Sequence, residues 1–314
     1  MPLKPLIIYN PVAGKGSAYQ HLPKVQELLH QKGFDHDLIL TQGPGHALTL
    51  SRQAAEEGRD RVVAAGGDGT VNETINGLMQ ADQKNGNGRP ALGVLPVGRG
   101  NDFAFGAGVP TDVAQACETL AQGRRRKVDI GLISGGDYPQ GRYFGNGVGL
   151  GFDAVVGFEA DKIKWLHGAA SYLVAVVKTI FLYARAPIYE VTYDDTTVTQ
   201  PFLMVSVMNG RRMGGTFMMA PQSQPGDGVF DLCLAGQVSQ IRILPLAVTF
   251  MQGKQAGHPA VKMARARRIR IRAVQGTIPA HADGETICKA GQALTIELIP
   301  TALDVIVQDG EVQS

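Results

Sequence analysis

The sequence predicts an α/β domain with a parallel sheet, followed by a mainly antiparallel β-sandwich domain. In the first part, short apolar strands alternate with helices, and glycine-rich turns follow the strand ends, which is typical of a parallel sheet covered on both faces. From Val128 onward strand patterns dominate, and residues 268–272 alternate strictly between Arg and Ile, as a half-buried strand does. We place the domains at 1–126, which 300–314 could rejoin, and at 127–299.

Composition excludes several classes of protein. The net charge of +2 and the 18% of charged residues do not mark a nucleic-acid binder. The cysteines are few, odd in number and far apart, which fits neither a disulfide framework nor a metal site and favours a reducing cytoplasm; they are Cys117, Cys233 and Cys288.

No long apolar segment is present. The run at 6–9 is too short for the core of a signal peptide. The most apolar stretch, 169–184, is interrupted by Lys178 and is shorter than the roughly 20 residues that span a bilayer. We expect a buried or partly exposed helix there, either in the core or touching a bilayer.

The elements of the first domain follow in order. Apolar runs predict strands at 3–9, 37–41, 61–65 and 91–96. Amphipathic spacing and end signals predict helices at 19–32, 46–57, 70–79 and 111–120.

The third strand is joined to its helix by a loop that is nearly free of side chains, from Gly66 to Gly69. Glycine allows close approach of backbone to ligand, and the amides at a helix N-terminus favour an anion. Thr70 and Glu73 have the spacing of a capping box that would begin the helix. The loop therefore predicts a phosphate site, although a tight turn without function would look similar.

Asp68 stands inside this loop, where a carboxylate alone would repel phosphate. It makes physical sense if it holds Mg²⁺, directly or through water, against the phosphates of a nucleotide.

Two further glycine turns leave strand ends, one at 14–16 and one at 98–101. Neither has the spacing of a Walker A loop or of a dinucleotide fingerprint. Because parallel sheets bind ligands at the carboxyl ends of their strands, we expect the three turns to meet at one crevice.

The second domain is predicted from strand patterns and two helices. The strands are at 128–133, 143–148, 188–193, 198–208, 229–234, 268–274 and 294–299, and the helices at 158–185 and 239–253. The basic run 124–127 reads as a solvated junction between domains or as a contact for anionic lipid. The segment 302–307 could return to pack on the first domain.

Three motifs together resemble one family. They are Asn10-Pro11 with Gly14-Lys15-Gly16, then Gly66-Gly67-Asp68-Gly69-Thr70-Val71-Asn72-Glu73, then Gly98-Arg99-Gly100-Asn101-Asp102-Phe103-Ala104. Their order and strand-end context resemble the catalytic family of diacylglycerol kinases, which includes soluble bacterial lipid kinases, sphingosine kinases and ceramide kinases. The resemblance implies an ATP-dependent lipid kinase with nucleotide between the domains and an acyl-chain site in the second.

The resemblance also implies roles for individual residues. Nucleotide contacts would fall on Asn10, Thr41, Gly66, Gly67, Asp68, Gly69, Thr70, Asn72, Glu73, Gly98, Arg99, Gly100 and Asn101. Arg99 departs from the family, most of whose members carry Thr there. A Thr would offer one hydroxyl, whereas Arg offers five donors and a permanent charge.

Metal and catalytic residues are implied in the same way. Asp227, with the backbone carbonyls of Gln224 and Val229, resembles a loop that binds Mg²⁺, while Asp68 and Asp102 would organise Mg²⁺ through water. Asp283-Gly284-Glu285 resembles the motif that supplies the general base, which leaves the choice between Asp283 and Glu285 open. Asp129 would have a supporting role. Taken alone, both Asp-Gly segments read as turns.

The predicted activity is transfer of the γ-phosphate of ATP, with Mg²⁺, to a hydroxyl of a lipid such as diacylglycerol. A kinase similar to NAD kinase is the nearest alternative, and a non-catalytic regulator that binds nucleotide or lipid is another. We expect a lipid alcohol as substrate, no nucleic acid, and a cytoplasmic protein that transiently contacts the inner face of the membrane. The sequence leaves open which lipid is used and whether the chain forms a homodimer.

Overall fold

The computed structural model describes residues 3–82, 88–162, 174, 175, 177–180 and 185–308. The described strands form a branched, fifteen-stranded sheet whose main path runs β14-β13-β7-β9-β8-β12-β15-β4-β3-β1-β2. The strands of the first part are β1 (Leu6–Tyr9), β2 (Asp37–Leu40), β3 (Arg61–Gly66) and β4 (Ala91–Pro96). The helices there are α1 (Ser17–Gln31), α2 (His46–Glu56), α3 (Asp68–Gln80), α4 (Asp102–Ala107) and α5 (Val113–Gln122).

These four strands are parallel, in the order β4-β3-β1-β2. β3 and β4 have no exposed residue, as expected for strands covered by helices on both faces. The N-terminal α/β architecture predicted from the sequence is confirmed. The short α4, which follows the third glycine turn, was not predicted as a helix.

The second part is mainly antiparallel and follows the predicted sandwich class. Its strands are β5 (Arg125–Gly135), β6 (Tyr138–Phe144), β7 (Gly147–Gly151), β8 (Ile188–Tyr193), β9 (Thr196–Met208), β10 (Phe230–Gly236), β11 (Val261–Ala266), β12 (Arg268–Gln275), β13 (Ile278–Ala282), β14 (Glu285–Gly291) and β15 (Ala293–Ile306). The helices whose ends are both described there are α6 (Phe152–Lys162) and α7 (Gln240–Met251).

Two expectations for this part were wrong in detail. The strand expected at 143–148 is interrupted, because the backbone N–H groups of Gly145 and Asn146 turn to donate to Asp283. The strands β11, β13 and β14 were not predicted. Most of the basic run 124–127, expected to be a solvated junction, lies in β5, which begins at Arg125 and pairs with β15; Arg124, Arg125 and Lys127 are exposed.

β15 connects the two parts of the chain. It pairs antiparallel with β5 over most of its length, and Val305 then pairs in parallel with Leu92 of β4. The segment 302–307 thus lies against the first sheet. The division at residue 126 stays a prediction.

The helix predicted at 158–185 starts earlier, at Phe152. Residues 174, 175 and 177–180 are helical, and the rest of the apolar stretch 169–184 lies outside the described residues. Within the part of the chain that is described, no helix is long and apolar enough to cross a membrane.

Candidate active site

The three glycine turns lie together at the carboxyl ends of β1, β3 and β4. The amide of Gly98 donates to the carbonyl of Gly66 at 3.2 Å, and the side chain of Asn10 donates to Oγ1 of Thr70 at 2.9 Å. A Cβ on Gly98 would overlap the backbone of Gly67. Glycine is thus required where the second and third turns touch.

α3 begins at Asp68, with Gly67 in an extended conformation as its N-cap. The predicted capping box is therefore wrong. Thr70 packs under Gly66, where a Cβ would overlap the threonine side chain, so this glycine serves packing rather than ligand approach. Glu73 accepts instead from the amides of Gly45 and Ala47 at 2.7 and 3.1 Å, and so holds the start of α2.

The start of α3 offers backbone donors. The first N–H groups of a helix lack intrahelical acceptors, and the positive end of the helix dipole adds to their attraction for anions. Gly67 and Gly69 are partly accessible. This turn can therefore bind a phosphate group through its backbone.

Asp68 lies beside this turn with its carboxylate directed towards the third one. Its Oδ1 accepts from the backbone N–H of Phe103 at 3.1 Å, and a Cβ on Gly100 would stand 2.7 Å from Oδ2. Burial, and then the negative charge of Asp102, raise the pKa of Asp68 to about 6. The protein itself leaves this negative charge poorly compensated.

Asp102 has a cationic partner that the sequence did not reveal. Arg212 donates to Asp102 Oδ1 and to the carbonyl of Gly100, both at 2.9 Å, and its guanidinium lies 4.0 Å from the ring centroid of Phe105. The amide of Gly215 also donates to the Asp102 carboxylate. Burial still raises the pKa of Asp102 overall, although Gly215 and Arg212 lower it. The pair joins α4 to the loop after β9.

Asp283 is a structural carboxylate. Its two oxygens accept four hydrogen bonds of 2.8 to 3.0 Å, three from the amides of residues 145–147 and one from the side chain of Asn72. Its φ of 50° places it in a tight turn before β14. With both oxygens engaged, Asp283 is poorly suited to accept a proton, and we assign it a positioning role.

Asn72 was expected to contact nucleotide, but its side chain is fully buried. It donates to Asp283 and to the carbonyl of Tyr143, and its own carbonyl accepts from Arg142 at 2.7 and 3.2 Å. Asn72 therefore links α3 to the second part of the chain. This corrects its assignment as a nucleotide contact.

Glu285 is placed differently from Asp283. Its side chain is 45% exposed, and Oε2 lies 3.7 Å from a guanidinium nitrogen of Arg142. Its Oε1 is 3.2 Å from the position that a Cβ on Gly69 would take. A carboxylate with room to accept a proton thus stands directly over the phosphate-binding end of α3.

The remaining predicted nucleotide contacts surround this crevice. Thr41 is partly accessible just after β2, and its amide donates to the carbonyl of Tyr9 at 2.8 Å. Asn101 has a positive φ of 51°, and its side chain lies 3.3 Å from the carbonyl of Gly98. Arg99 is exposed, and in the described part of the chain no hydrogen bond or ion pair holds its side chain.

The loop predicted to bind Mg²⁺ does not fit the ion in this arrangement. Both oxygens of Asp227 are engaged, one by Arg265 and the other by the amide of Val229. The carbonyl of Gln224 accepts from the amide of Asp227. Asp129 holds this loop by accepting from the amides of Gly226 and Gly228. We therefore derive no step through a metal here.

Mg²⁺ fits the crevice better than it fits that loop. The raised pKa of Asp68 marks a negative charge that a cation would compensate. Across the described residues, no group of three or more His, Cys, Asp or Glu side chains could hold a metal on its own. The ion would consequently need ligands from phosphate and water, which is common for Mg²⁺.

An apolar pocket of about 300 Å³ opens onto the same carboxylates. Its inner wall comes from α6, β9 and α7 and includes Phe152, Val156, Leu203, Met204, Leu246 and Phe250. Asp68, Asp102 and Asp283 line its polar end. The pocket can hold a hydrocarbon chain whose polar end reaches the crevice.

Family models match both parts of the chain. Residues 4–133 match the diacylglycerol kinase catalytic domain, and residues 146–307 match the YegS C-terminal NAD kinase beta sandwich-like domain.

Curated relatives cover most of the chain. A diacylglycerol kinase from Bacillus subtilis is 30% identical over 281 residues, which is 89% of this chain and 88% of that protein. A diacylglycerol kinase from Mycobacterium tuberculosis is 27% identical over 298 residues, covering 95% and 93%.

Solved structures share the fold. A diacylglycerol kinase from Bacillus anthracis superposes with a TM-score of 0.74 at 26% identity, covering 98% of this chain and 97% of that one. An NAD kinase from Archaeoglobus fulgidus in complex with ATP gives a TM-score of 0.50 at 12% identity, covering 97% and 94%, which shows a shared fold alone.

Proposed function

The chain belongs to the diacylglycerol kinase family and is a kinase acting on a lipid alcohol, and we propose that it transfers the γ-phosphate of ATP to a hydroxyl of diacylglycerol or a similar lipid, with Mg²⁺. The observation that carries this proposal is the junction between the apolar pocket and the phosphate-binding turn. Asp68 lines the pocket and is also the first residue of α3, at the phosphate-binding turn. A lipid alcohol in the pocket would present its hydroxyl where a terminal phosphate would lie.

The residues divide the work of phosphoryl transfer. Backbone amides at Gly67 and Gly69 hold phosphate oxygens, and Asp68, with Asp102 behind it, would hold Mg²⁺, which supplies charge neutralisation when bound. Glu285 accepts the proton of the attacking hydroxyl. Arg142 and Asp283 both contact Asn72 of α3, and Arg142 also pairs with Glu285. These contacts fix the position of the base relative to α3.

The composition of the pocket wall favours a lipid over a dinucleotide. A dinucleotide would present phosphates and sugar hydroxyls along its length, whereas the wall between α6 and α7 offers mainly hydrocarbon.

The deciding experiment gives radiolabelled ATP and Mg²⁺ to the protein with a panel of lipid alcohols in mixed micelles, and with NAD. Labelled phospholipid supports the proposal. Labelled NADP would favour a kinase similar to NAD kinase, and binding of both ligands without turnover would indicate a regulator.

Arg99 is expected to contact the phosphates of ATP, because it is exposed beside the crevice and its flanking glycines leave room for its stem. On this basis Arg99→Glu should raise the KM for ATP at least about tenfold, equivalent to roughly 1.4 kcal/mol. Added salt should weaken the difference. Arg99→Thr, which restores the residue of most family members, should stay active. An unchanged KM in Arg99→Glu would mean that the turn acts through its backbone alone.

We further propose that the protein is cytoplasmic and meets the membrane through α7. This helix is apolar on both sides: Ile243, Leu246 and Phe250 face inward. Its outer side exposes Ile241, Leu244, Val248 and Met251, and Ile241 is 84% exposed. An apolar stripe on a helix that also walls the lipid pocket is suited to the interface of a bilayer.

Ile241→Ser should weaken binding to phospholipid vesicles about tenfold, since it removes one large aliphatic side chain from the interface. Sedimentation with vesicles of phosphatidylglycerol and phosphatidylcholine measures the effect. The matched control is Val274→Ser, which removes an exposed aliphatic side chain from β12. Equal binding by the two variants would rule out α7 as the contact.

A further inference from the structure

A polar notch interrupts the apolar pocket wall; we define it as His281, Asp153 and Ser206 around Gly149. His281 on β13 pairs with Gly149 on β7, which pairs in turn with Ser206 on β9. Directly opposite residues of antiparallel strands point to the same face of a sheet. These positions therefore form a row across the sheet, and His281 and Asp153 line the pocket.

Gly149 makes the space for the notch. A Cβ there would overlap both the carboxylate of Asp153 and the ring of His281. Gly149 does not have a positive φ, so its lack of a side chain serves this space rather than a backbone conformation.

The notch contains polar atoms that the protein leaves without partners. Nδ1 of His281, Oδ2 of Asp153 and Oγ of Ser206 are buried without a hydrogen bond. His281 Nε2 lies 3.7 Å from Asp153 Oδ2, which is beyond hydrogen-bond distance. Buried polar groups are normally hydrogen-bonded. Of these three atoms, the Ser206 hydroxyl can donate to a ligand, whereas Oδ2 of Asp153 can only accept.

The notch lies close to the reacting end of the pocket. His281 precedes Asp283 by two residues, so their Cα atoms can be at most about 7 Å apart, the length of two residues of extended chain. In an acylglycerol only a few bonds separate the free hydroxyl from an ester carbonyl. A carbonyl oxygen could therefore reach the notch while the hydroxyl lies at Glu285.

We propose that the polar notch binds an ester carbonyl of the lipid substrate and thereby selects acyl esters over lipids that carry only alkyl or prenyl chains. The inference rests on the proposed function, since it assumes a lipid alcohol in the pocket. His281 donates from Nε2, and the negative charge of Asp153 favours the tautomer with hydrogen on that nitrogen. Ser206 lies next in the row.

The test compares dioctanoylglycerol with its dioctyl ether analogue, which lacks both carbonyls. Wild type should favour the ester about tenfold in kcat/KM, as expected for one hydrogen bond to a partly buried group. His281→Phe should reduce this ratio to about one, and His281→Gln, which keeps an N–H donor, should restore part of it. His21→Phe, on the exposed side of α1, is the matched control and should keep the wild-type ratio.

Binding of the same two lipids, followed by thermal shift, gives a readout that does not need turnover. Ester preference in binding without phosphorylation would support the notch and contradict the proposed kinase activity. Phosphorylation of both lipids at equal kcat/KM by wild type would contradict the notch alone. An equal loss of kcat/KM for the ester and the ether in His281→Phe would likewise overturn the proposal, because His281 would then serve only packing.

Discussion

Asp68→Asn is expected to abolish phosphoryl transfer while leaving the fold intact. The substitution keeps the acceptor for the Phe103 amide but removes the charge that would hold Mg²⁺ against the phosphates. Loss of such charge stabilisation typically lowers kcat at least about a hundredfold. The measurement is the initial rate of lipid phosphorylation at saturating ATP and Mg²⁺. Near-normal turnover would remove Asp68 from the proposed mechanism.

The same variant should be more stable than wild type in metal-free buffer. The pKa of Asp68 is about 6 in the folded protein, against about 3.9 for an unfolded aspartate. The folded state therefore binds the extra proton between these values, and its stability falls as the pH rises from about 4 to 6. Asp68→Asn should show little difference at pH 4 and gain about 1–3 kcal/mol above pH 6, measured by urea unfolding.

Asp195→Asn is the matched control, because Asp195 is exposed. It should change neither rate nor stability.

For wild type, activity at limiting Mg²⁺ should decline as the pH falls through about 6, since protons compete with the metal for Asp68. Excess Mg²⁺ should move this decline to lower pH.

The sequence predicted the first half of the fold well because its signals are local. The alternation of buried strands and helices, with glycine at strand ends, depends on neighbours in the chain. The β11, β13 and β14 strands escaped prediction. β14 follows β13 directly in a hairpin, but other pairings depend on distant partners. β13, for example, is defined by its pairing with β7 across more than a hundred residues of chain.

The residues of the candidate site also fall into those that a local motif marks and those that only distant contacts define. Asp68 and Glu285 could be found because they stand in short motifs next to glycines. Arg142, Arg212 and His281 carry no local signal, since each gains its meaning only from a partner far along the chain. Asn72 shows the converse: its motif suggested a ligand contact, but tertiary packing buries it between α3 and Asp283.

Geometry also separates two carboxylates that the motif leaves equivalent. Asp283 uses both oxygens on backbone amides and Asn72, whereas Glu285 remains partly exposed over Gly69. Removing Asp283 should therefore disturb the conformation of the turn. Removing the charge of Glu285 should instead lower the rate of phosphoryl transfer without disturbing the fold.

Glu285→Gln is expected to lower kcat by about a hundredfold to ten-thousandfold, the usual contribution of a positioned proton acceptor. The KM for ATP should change little, because the carboxylate acts on the attacking hydroxyl rather than on bound nucleotide. Steady-state rates at varied ATP and varied lipid separate these effects. Glu297→Gln is the matched control: Glu297 pairs with Arg268 at the surface, and its loss should leave kcat unchanged. A Glu285→Gln variant that lost only ATP affinity would move Glu285 from the base to the nucleotide site.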